Sequence, residues 1–406
     1  MAFGIALSGL DAASSDLNTI GNNIANAGTV GFKGSRAEFG DVYAVSAQGI
    51  SSTAIGSGVR LQKVAQQFDQ GNIQSTGKNL DLAISGQGFF TVSNNGSLAY
   101  TRAGSFSVDN NGYVVDPAGD HLQVFPPGSL PGTFNTGTLS DLQLANTLGT
   151  PKATANVSLG LNLPAGATPP TTTPFSPTNP STYNQATSIT MYDSLGTAHT
   201  ASTYYVKTST PNQWQAYLYI DGNQLTSGGS PATTLQFNSS GQLTSPASGK
   251  IAYSTDPTTG ITPTLDYSNT TQFGAGFAVN SLTQDGYAAG RLSGINIDST
   301  GVVQAQFTNG QSQNLGQLAL ANFANPEGLQ QLGNTSWAET FASGSRLLGQ
   351  AGTASFGNVQ SGALESSNVD ITKELVNMII AQRNFQANAK VITTADTLTQ
   401  TIINMR

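Results

Sequence analysis

The chain has 406 residues, more than one compact core usually spans, so two or three domains are expected. Only 9% of its residues are charged and the net charge is −7, against roughly 25% charged residues in an average soluble domain. With 37% apolar residues it is not the charge-rich, apolar-poor kind of chain that stays disordered. The 15 Lys and Arg form no basic run, which argues against nucleic acid as a partner. No apolar stretch reaches the ~18 residues that a membrane span needs, so membrane insertion is not expected. Cysteine is absent, which removes thiol nucleophiles and zinc–thiolate sites and fits a chain exported unfolded. The start, Met1-Ala2-Phe3-Gly4, lacks the basic region and continuous apolar core of a secretory signal.

The first predicted element is a helix. Phe3, Leu10, Leu17 and Ile24 recur every seven residues, with Leu7 and Ile20 beside them, which is one apolar stripe at near coiled-coil spacing. Asp11, Ser15, Asn18 and Asn22 occupy the opposite face, and Asn26-Ala27-Gly28 supplies the stop.

From about 70 to 365 the pattern changes to strands and tight turns. Turn pairs and clusters stand at Asn95-Gly96, Asn111-Gly112, Asp193-Ser194-Leu195-Gly196, Asp221-Gly222 and Asn309-Gly310. Apolar or alternating runs flank them, among them Gln213 to Ile220, and Val302 to Phe307 with Leu318 to Phe323 following. This spacing predicts β-sandwich or barrel domains. Six prolines between Pro164 and Pro180 predict an extended surface loop.

The last segment repeats the first design. Ser367-Asn368-Val369-Asp370 provides N-cap candidates and an early acid. Ile371, Met378, Phe385 and Ile392 then recur every seven, with Leu375, Ile379 and Ala389 beside them, and Ala395, Leu398, Ile402 and Met405 continue the stripe. Such a helix of about ten turns is marginal alone in water and needs a partner. The helix at the other end is the candidate. An ordinary helical hairpin on the protein's own core fits this periodicity, and so does a coiled-coil pair that also packs against neighbouring copies.

Candidate chemistry is sparse. His121 and His199 are about eighty residues apart and neither sits in an H-E-x-x-H arrangement. Neither a G-x-S-x-G elbow nor a phosphate-binding G-x-x-x-x-G-K-[ST] loop occurs, although Gly77-Lys78 superficially approaches the latter. Asp109 with Asp116 would be an acid–base pair only if the fold set them face to face, and Asp is common at hairpin ends. No catalytic, cofactor-binding or metal-binding residue is expected, and no cofactor.

The segment Asn23-Ile24-Ala25-Asn26-Ala27-Gly28-Thr29-Val30-Gly31-Phe32-Lys33 ends the first helix. It resembles the N-I-A-N-x-x-T-x-G-F-K signature of the flagellar rod, hook and hook-junction axial proteins, on Asn23, Ile24, Ala25, Asn26, Thr29, Gly31, Phe32 and Lys33. Asn79 to Phe90 is similar to that family's L-D-x-A-I-x-G-x-G-F-F strand. Leu320 to Leu329 resembles a second family segment, Gly362 to Asp370 the lead-in to its final helix, and Glu374 to Asn388 that helix itself. The remaining insert of about 140 residues favours a hook-type member over a distal rod-type one.

The resemblance implies an α+β multidomain chain. Residues 1–70 and 366–406 would form a terminal coiled-coil assembly domain with an extended segment. Residues 71–145 and 286–365 would form an inner β domain, and 146–285 an inserted outer β domain. It implies a non-enzymatic subunit that polymerises with many copies of itself into a flexible tube coupling the motor rod to the filament. The assembly helices would use Phe3, Leu7, Leu10, Leu17, Ile20, Ile24, Ile371, Leu375, Met378, Phe385, Ile392, Leu398 and Ile402. Rod and hook–filament junction proteins would be its partners, with the hook cap and the export apparatus during assembly. The location would be extracellular, after flagellar type III export without a cleavable signal peptide. Read from the residues alone, a secreted carbohydrate-binding or adhesive β protein with a helical oligomerisation stalk, and a secreted glycoside hydrolase, stay open.

Overall fold

The computed structural model describes residues 2–43, 56–144, 149–353 and 355–404. Met405 of the second stripe and the domain boundary expected at 145/146 lie outside them. The protein is mainly β with one helix near each end: α1, Ala2–Ala25, and α2, Ile371–Asn404. It divides into two compact units. The first holds 1–146, 294–306 and 312–406; the second holds 147–293 and 307–311.

In the first unit, α1 and α2 pack on each other. The chain leaves α1 through a long antiparallel hairpin, Ser35–Asp41 with Val59–Gln66. The body is a 13-stranded sheet whose central strands include Phe89–Asn94, Ser97–Thr101 and His121–Phe125. The Phe89 and Ser97 strands pair across Asn95-Gly96, both in the left-handed region at φ 49° and 92°, as a two-residue hairpin turn requires. Phe68, Phe89, Tyr100, Phe323 and Trp337 form an edge-to-face aromatic core. The Val302–Phe307 strand returns as Ser312–Leu318, one segment earlier than the apolar Leu318–Phe323 run suggests. The returning strand is polar (Ser-Gln-Asn-Leu-Gly-Gln-Leu), and its exposed first half hides it from a hydrophobicity reading.

The second unit is built on a four-stranded and a six-stranded sheet that share one core. Val157, Leu159 and Leu161 of the first sheet meet Met191, Tyr205, Trp214 and Leu218 of the second. Gln213–Ile220 alternates strictly, with Trp214, Ala216, Leu218 and Ile220 buried and Gln215, Tyr217 and Tyr219 half-exposed, the period-2 pattern of a half-buried strand. Phe175, from the proline-rich loop, stacks on Tyr217 at 4.1 Å. The first and last segments of the unit are stitched together by Gly149 with Gly290 and Lys152 with Tyr287.

Five turns across both units share one design, an Asx residue followed by Gly three positions later: Asp109–Gly112, Asp116–Gly119, Asp193–Gly196, Asn238–Gly241 and Asp298–Gly301. Each Gly N–H donates to the Asx carbonyl at 3.0–3.1 Å, and each Gly has φ between 76° and 90°. Each Asx side chain accepts from the backbone N–H groups two and four positions on. The Asx side chain satisfies the turn and glycine takes the left-handed position. Asp109 and Asp116 therefore each cap their own turn.

Candidate assembly surface and the junction of the chain ends

The two ends of the chain meet in the first unit, and the quoted motif residues make the joint. Asn23 is buried and exchanges two hydrogen bonds with the Ser35 backbone, at 2.7 and 2.8 Å. Asn368 does the same from the other end, accepting from Gly34 N–H at 2.8 Å and donating to the carbonyls of Gln67 and Asp69. Asn26 closes the turn after α1 with Thr29. Gly31 has φ +69°, and a Cβ there would lie 2.4 Å from the Ala103 nitrogen, so only glycine fits. Its N–H donates to the Glu365 carbonyl at 2.8 Å.

Below that contact lies a buried charge cluster. The Glu365 carboxylate, fully buried, takes Lys33 Nζ at 2.7 Å on one oxygen and Arg102 at 3.0 Å on the other. Gly71 N–H also donates to it. Lys33 donates further to the Asp69 carbonyl, and Arg102 to those of Gly86 and Ile84, with its guanidinium 5.5 Å from the Phe89 ring centre. Burial pushes the Lys33 and Arg102 cations below their ordinary pKa values, against the pull of Glu365. Arg102 is the residue that motif reading missed. Its signal is local: in a chain with so few charges, an Arg directly after the apolar Leu98–Thr101 run implies a buried partner.

The α1–α2 pair is antiparallel. Gly34 bonds Asn368 near the joint, and further out Gly9 faces the Asn388 side chain. The face of α1 that is fully buried is Ala6, Ala13 and Ile20. Leu10, Leu17 and Ile24 are half-buried, whereas Phe3 and Leu7 are exposed. On α2, Ala381 is buried and Met378, Phe385 and Ile392 are half-buried. Ile371, Leu375, Val376, Ile379 and Ile380 are exposed, so the first turns of α2 present a wide apolar surface beside the polar Thr372, Lys373, Glu374 and Asn377. With Gly9 opposite Asn388, the start of α1 falls opposite roughly residue 395, and the remaining turns of α2 extend about 13 Å beyond it. There Leu398, Ile402 and Ile403 are 60–69% exposed.

A second feature of this unit is a groove of about 830 Å³ whose lining is mostly polar, with Asn18, Asn22, Asn26, Gln66 and Thr335 among its residues beside Val30, Phe32 and Val64. Thr335 has φ 56°, a strained conformation for a β-branched residue.

Of the histidines, His121 opens the His121–Phe125 strand and bonds Asp141 at 2.8 Å. His199 sits between Asp221 at 2.6 Å and Asp193 at 3.4 Å. The hydrogen bond it donates to the Asp221 carboxylate raises its pKa. Among the described residues no group of three or more His, Asp or Glu is placed to hold a metal, and no helix is long and apolar enough to cross a membrane.

Comparison with known proteins follows the same layout. Residues 3–33 match the "Flagella basal body rod protein" model and 83–168 the "Flagellar hook protein FlgE/F/G D1 domain". Residues 162–287 match the "Flagellar basal body protein FlaE D2 domain", and 360–405 the "Flagellar basal body rod FlgEFG protein C-terminal". Together these match both ends of the chain and the stretch from 83 to 287 with models of flagellar axial structural proteins. Flagellar hook protein FlgE of Escherichia coli K12 is 42% identical over the full length of both chains. That of Salmonella typhimurium is 41% identical, also over both full lengths, and that of Borreliella burgdorferi 33% over 98% of each. The Helicobacter pylori FlgE2 crystal structure shares the fold at TM-score 0.51 and 15% identity, covering 72% of this chain and all of that one. The chain belongs to the flagellar hook protein family and is a structural subunit of the hook.

Proposed function

We propose that this subunit polymerises through its paired ends, with α1 and α2 working as a coiled coil that is completed only by neighbouring copies. The observation that carries this is the exposed apolar surface of α2, at Ile371, Leu375, Val376, Ile379 and Ile380 in its first turns and on its overhanging last turns. Phe3, Leu7, Ile371, Leu375, Leu398 and Ile402 are the residues to be covered by other subunits. Leu10, Leu17, Ile20, Ile24, Met378, Phe385 and Ile392 hold the pair together within one subunit. The chain acts without catalysis, coupling rod to filament as a flexible tube, with rod, junction and cap proteins as its neighbours. It leaves the cell through the flagellar type III route.

Its division is three-part: 1–70 with 366–406, 71–145 with 286–365, and 146–285 inserted. The half-exposed tyrosines, serines and threonines of the second unit, with few charges among them, suit interfaces that re-register during bending. Such sliding breaks no buried ion pair between subunits. Electron cryomicroscopy of the purified full-length chain after incubation at high protein concentration and high salt tests the assembly. Hollow tubes with α2 packed against α2 of other copies are the expected result; monomers or closed small oligomers would sink it.

A further inference from the structure

Three turns in this chain carry the pair Asn-Gly: Asn95-Gly96, Asn111-Gly112 and Asn309-Gly310. The pair suits a tight turn because glycine takes positive φ freely. It also has a chemistry of its own. The backbone nitrogen of a glycine, with no side chain to shield it, can attack the side-chain amide carbon of the asparagine before it. How readily it does so depends on how firmly the fold holds the two groups, and the three turns differ in that respect.

Asn309 is locked by its side chain. Its Nδ2 donates to the Ala288 carbonyl at 2.8 Å and its Oδ1 accepts from Gln311 N–H at 3.1 Å. Gly310 N–H donates to the Phe307 carbonyl at 3.0 Å. Asn111 is locked by its backbone. Its N–H donates to the Asp109 carboxylate at 2.9 Å, and its carbonyl accepts from Gln143 Nε2 at 3.0 Å. Gly112 is buried, with its N–H on the Asp109 carbonyl at 3.1 Å and its carbonyl accepting from Leu144 N–H.

Asn95 is held more loosely. It stands exposed at the tip of the hairpin between Phe89–Asn94 and Ser97–Thr101, at φ 49°. Its Nδ2 donates to the exposed Asn94 side chain at 2.9 Å. The Gly96 N–H rests on a hydroxyl, Ser93 Oγ at 3.2 Å, where the other two turns use a backbone carbonyl. A Cβ added to Gly96 would meet nothing within 4 Å, so the turn has room to rearrange and water reaches it.

We infer that Asn95 is a site of spontaneous covalent change, converted in the folded subunit to aspartate and isoaspartate. The Gly96 nitrogen forms a bond to Asn95 Cγ, the bond from Cγ to Nδ2 breaks, and ammonia leaves with the proton given up by Gly96 N–H. Water then opens the cyclic imide. Attack at Cγ gives aspartate; attack at the backbone carbonyl carbon gives isoaspartate. The net change consumes one water and releases one ammonia. Isoaspartate carries the main chain through Cγ and so lengthens it by one atom. A two-residue turn fixes the register of its hairpin, so the longer turn loosens the pairing that places Tyr100 in the aromatic core.

Ageing the full-length protein in warm buffer at pH 8.5 tests this, read by peptide mapping with mass spectrometry and by isoaspartyl methyltransferase labelling. Each further hydrogen bond that must break slows the reaction by about fivefold, so Asn95 should convert at least about tenfold faster than Asn111 or Asn309. In urea, where the fold protects none of them, the three should convert at similar rates. Asn95→Gly, which a two-residue turn accepts, should remove the signal at this position. Its melting temperature should stay constant with ageing while that of the wild type falls. Equal rates at the three pairs in the native protein, or faster change at Asn111 or Asn309, would overturn the assignment. An equal fall in melting temperature in Asn95→Gly would overturn the effect on the hairpin.

Discussion

Glu365 is one carboxylate shared by two buried cations, and the asymmetry decides what each substitution does. Glu365→Gln leaves Lys33 and Arg102 buried side by side without a counter-charge. This should cost about 3–5 kcal/mol, seen as a large fall in the denaturation midpoint of the first unit. Lys33→Met leaves a one-to-one Arg102–Glu365 pair and should change stability by no more than about 1 kcal/mol, because removing a buried charge also removes its desolvation cost. His199 offers a pH test in the second unit. Its folded pKa is raised, first by Asp221. Its contribution is therefore full below the ordinary histidine value of about 6.5 and is lost as pH rises through the higher folded value. The second unit should melt a few degrees lower at pH 8.5 than at pH 6, and His199→Gln should flatten that slope.

The helices show what a heptad repeat can and cannot say. Period and position of α1 and α2 were legible, because an apolar side chain every seven residues marks one face whatever it touches. Which side chains meet within the subunit was not. The buried face of α1 carries Ala6 and Ala13, whose small side chains give little hydrophobic signal. The bulky Phe3 and Leu7 are left exposed. The motif residues were legible as a string, yet the reason for Lys33 lies in Glu365, 332 positions away, and in Arg102, which no motif marked. The polar Ser312–Leu318 strand was missed because its pairing, not its burial, makes it a strand. The overhang of α2 is testable separately from the pair. Leu398→Asp with Ile402→Asp should leave the monomer's helix content and melting unchanged, since both side chains already face water. The same double change should abolish tube formation as judged by sedimentation.

At the scale of the whole molecule, low charge and exposed apolar ends make one prediction of the proposed assembly, that the ends gain order from other copies. Amides of the first turns of α1 and of residues 396–404 should exchange within seconds in the monomer. In the assembled polymer the same amides should be strongly protected, as hydrogen exchange with mass spectrometry would read. Strong protection of both segments in the monomer would count against assembly through the ends. The second unit obeys a different logic, because its two ends are stitched to each other at Gly149–Gly290 and Lys152–Tyr287. The backbone enters and leaves its main segment side by side, with only 307–311 joining it from elsewhere in the chain, so the stretch between those bridges can be exchanged without moving the residues that join Lys33 to Glu365. A lineage, or an engineer, can therefore give this subunit a new coat by exchanging one closed cassette while the machinery of its ends is inherited intact.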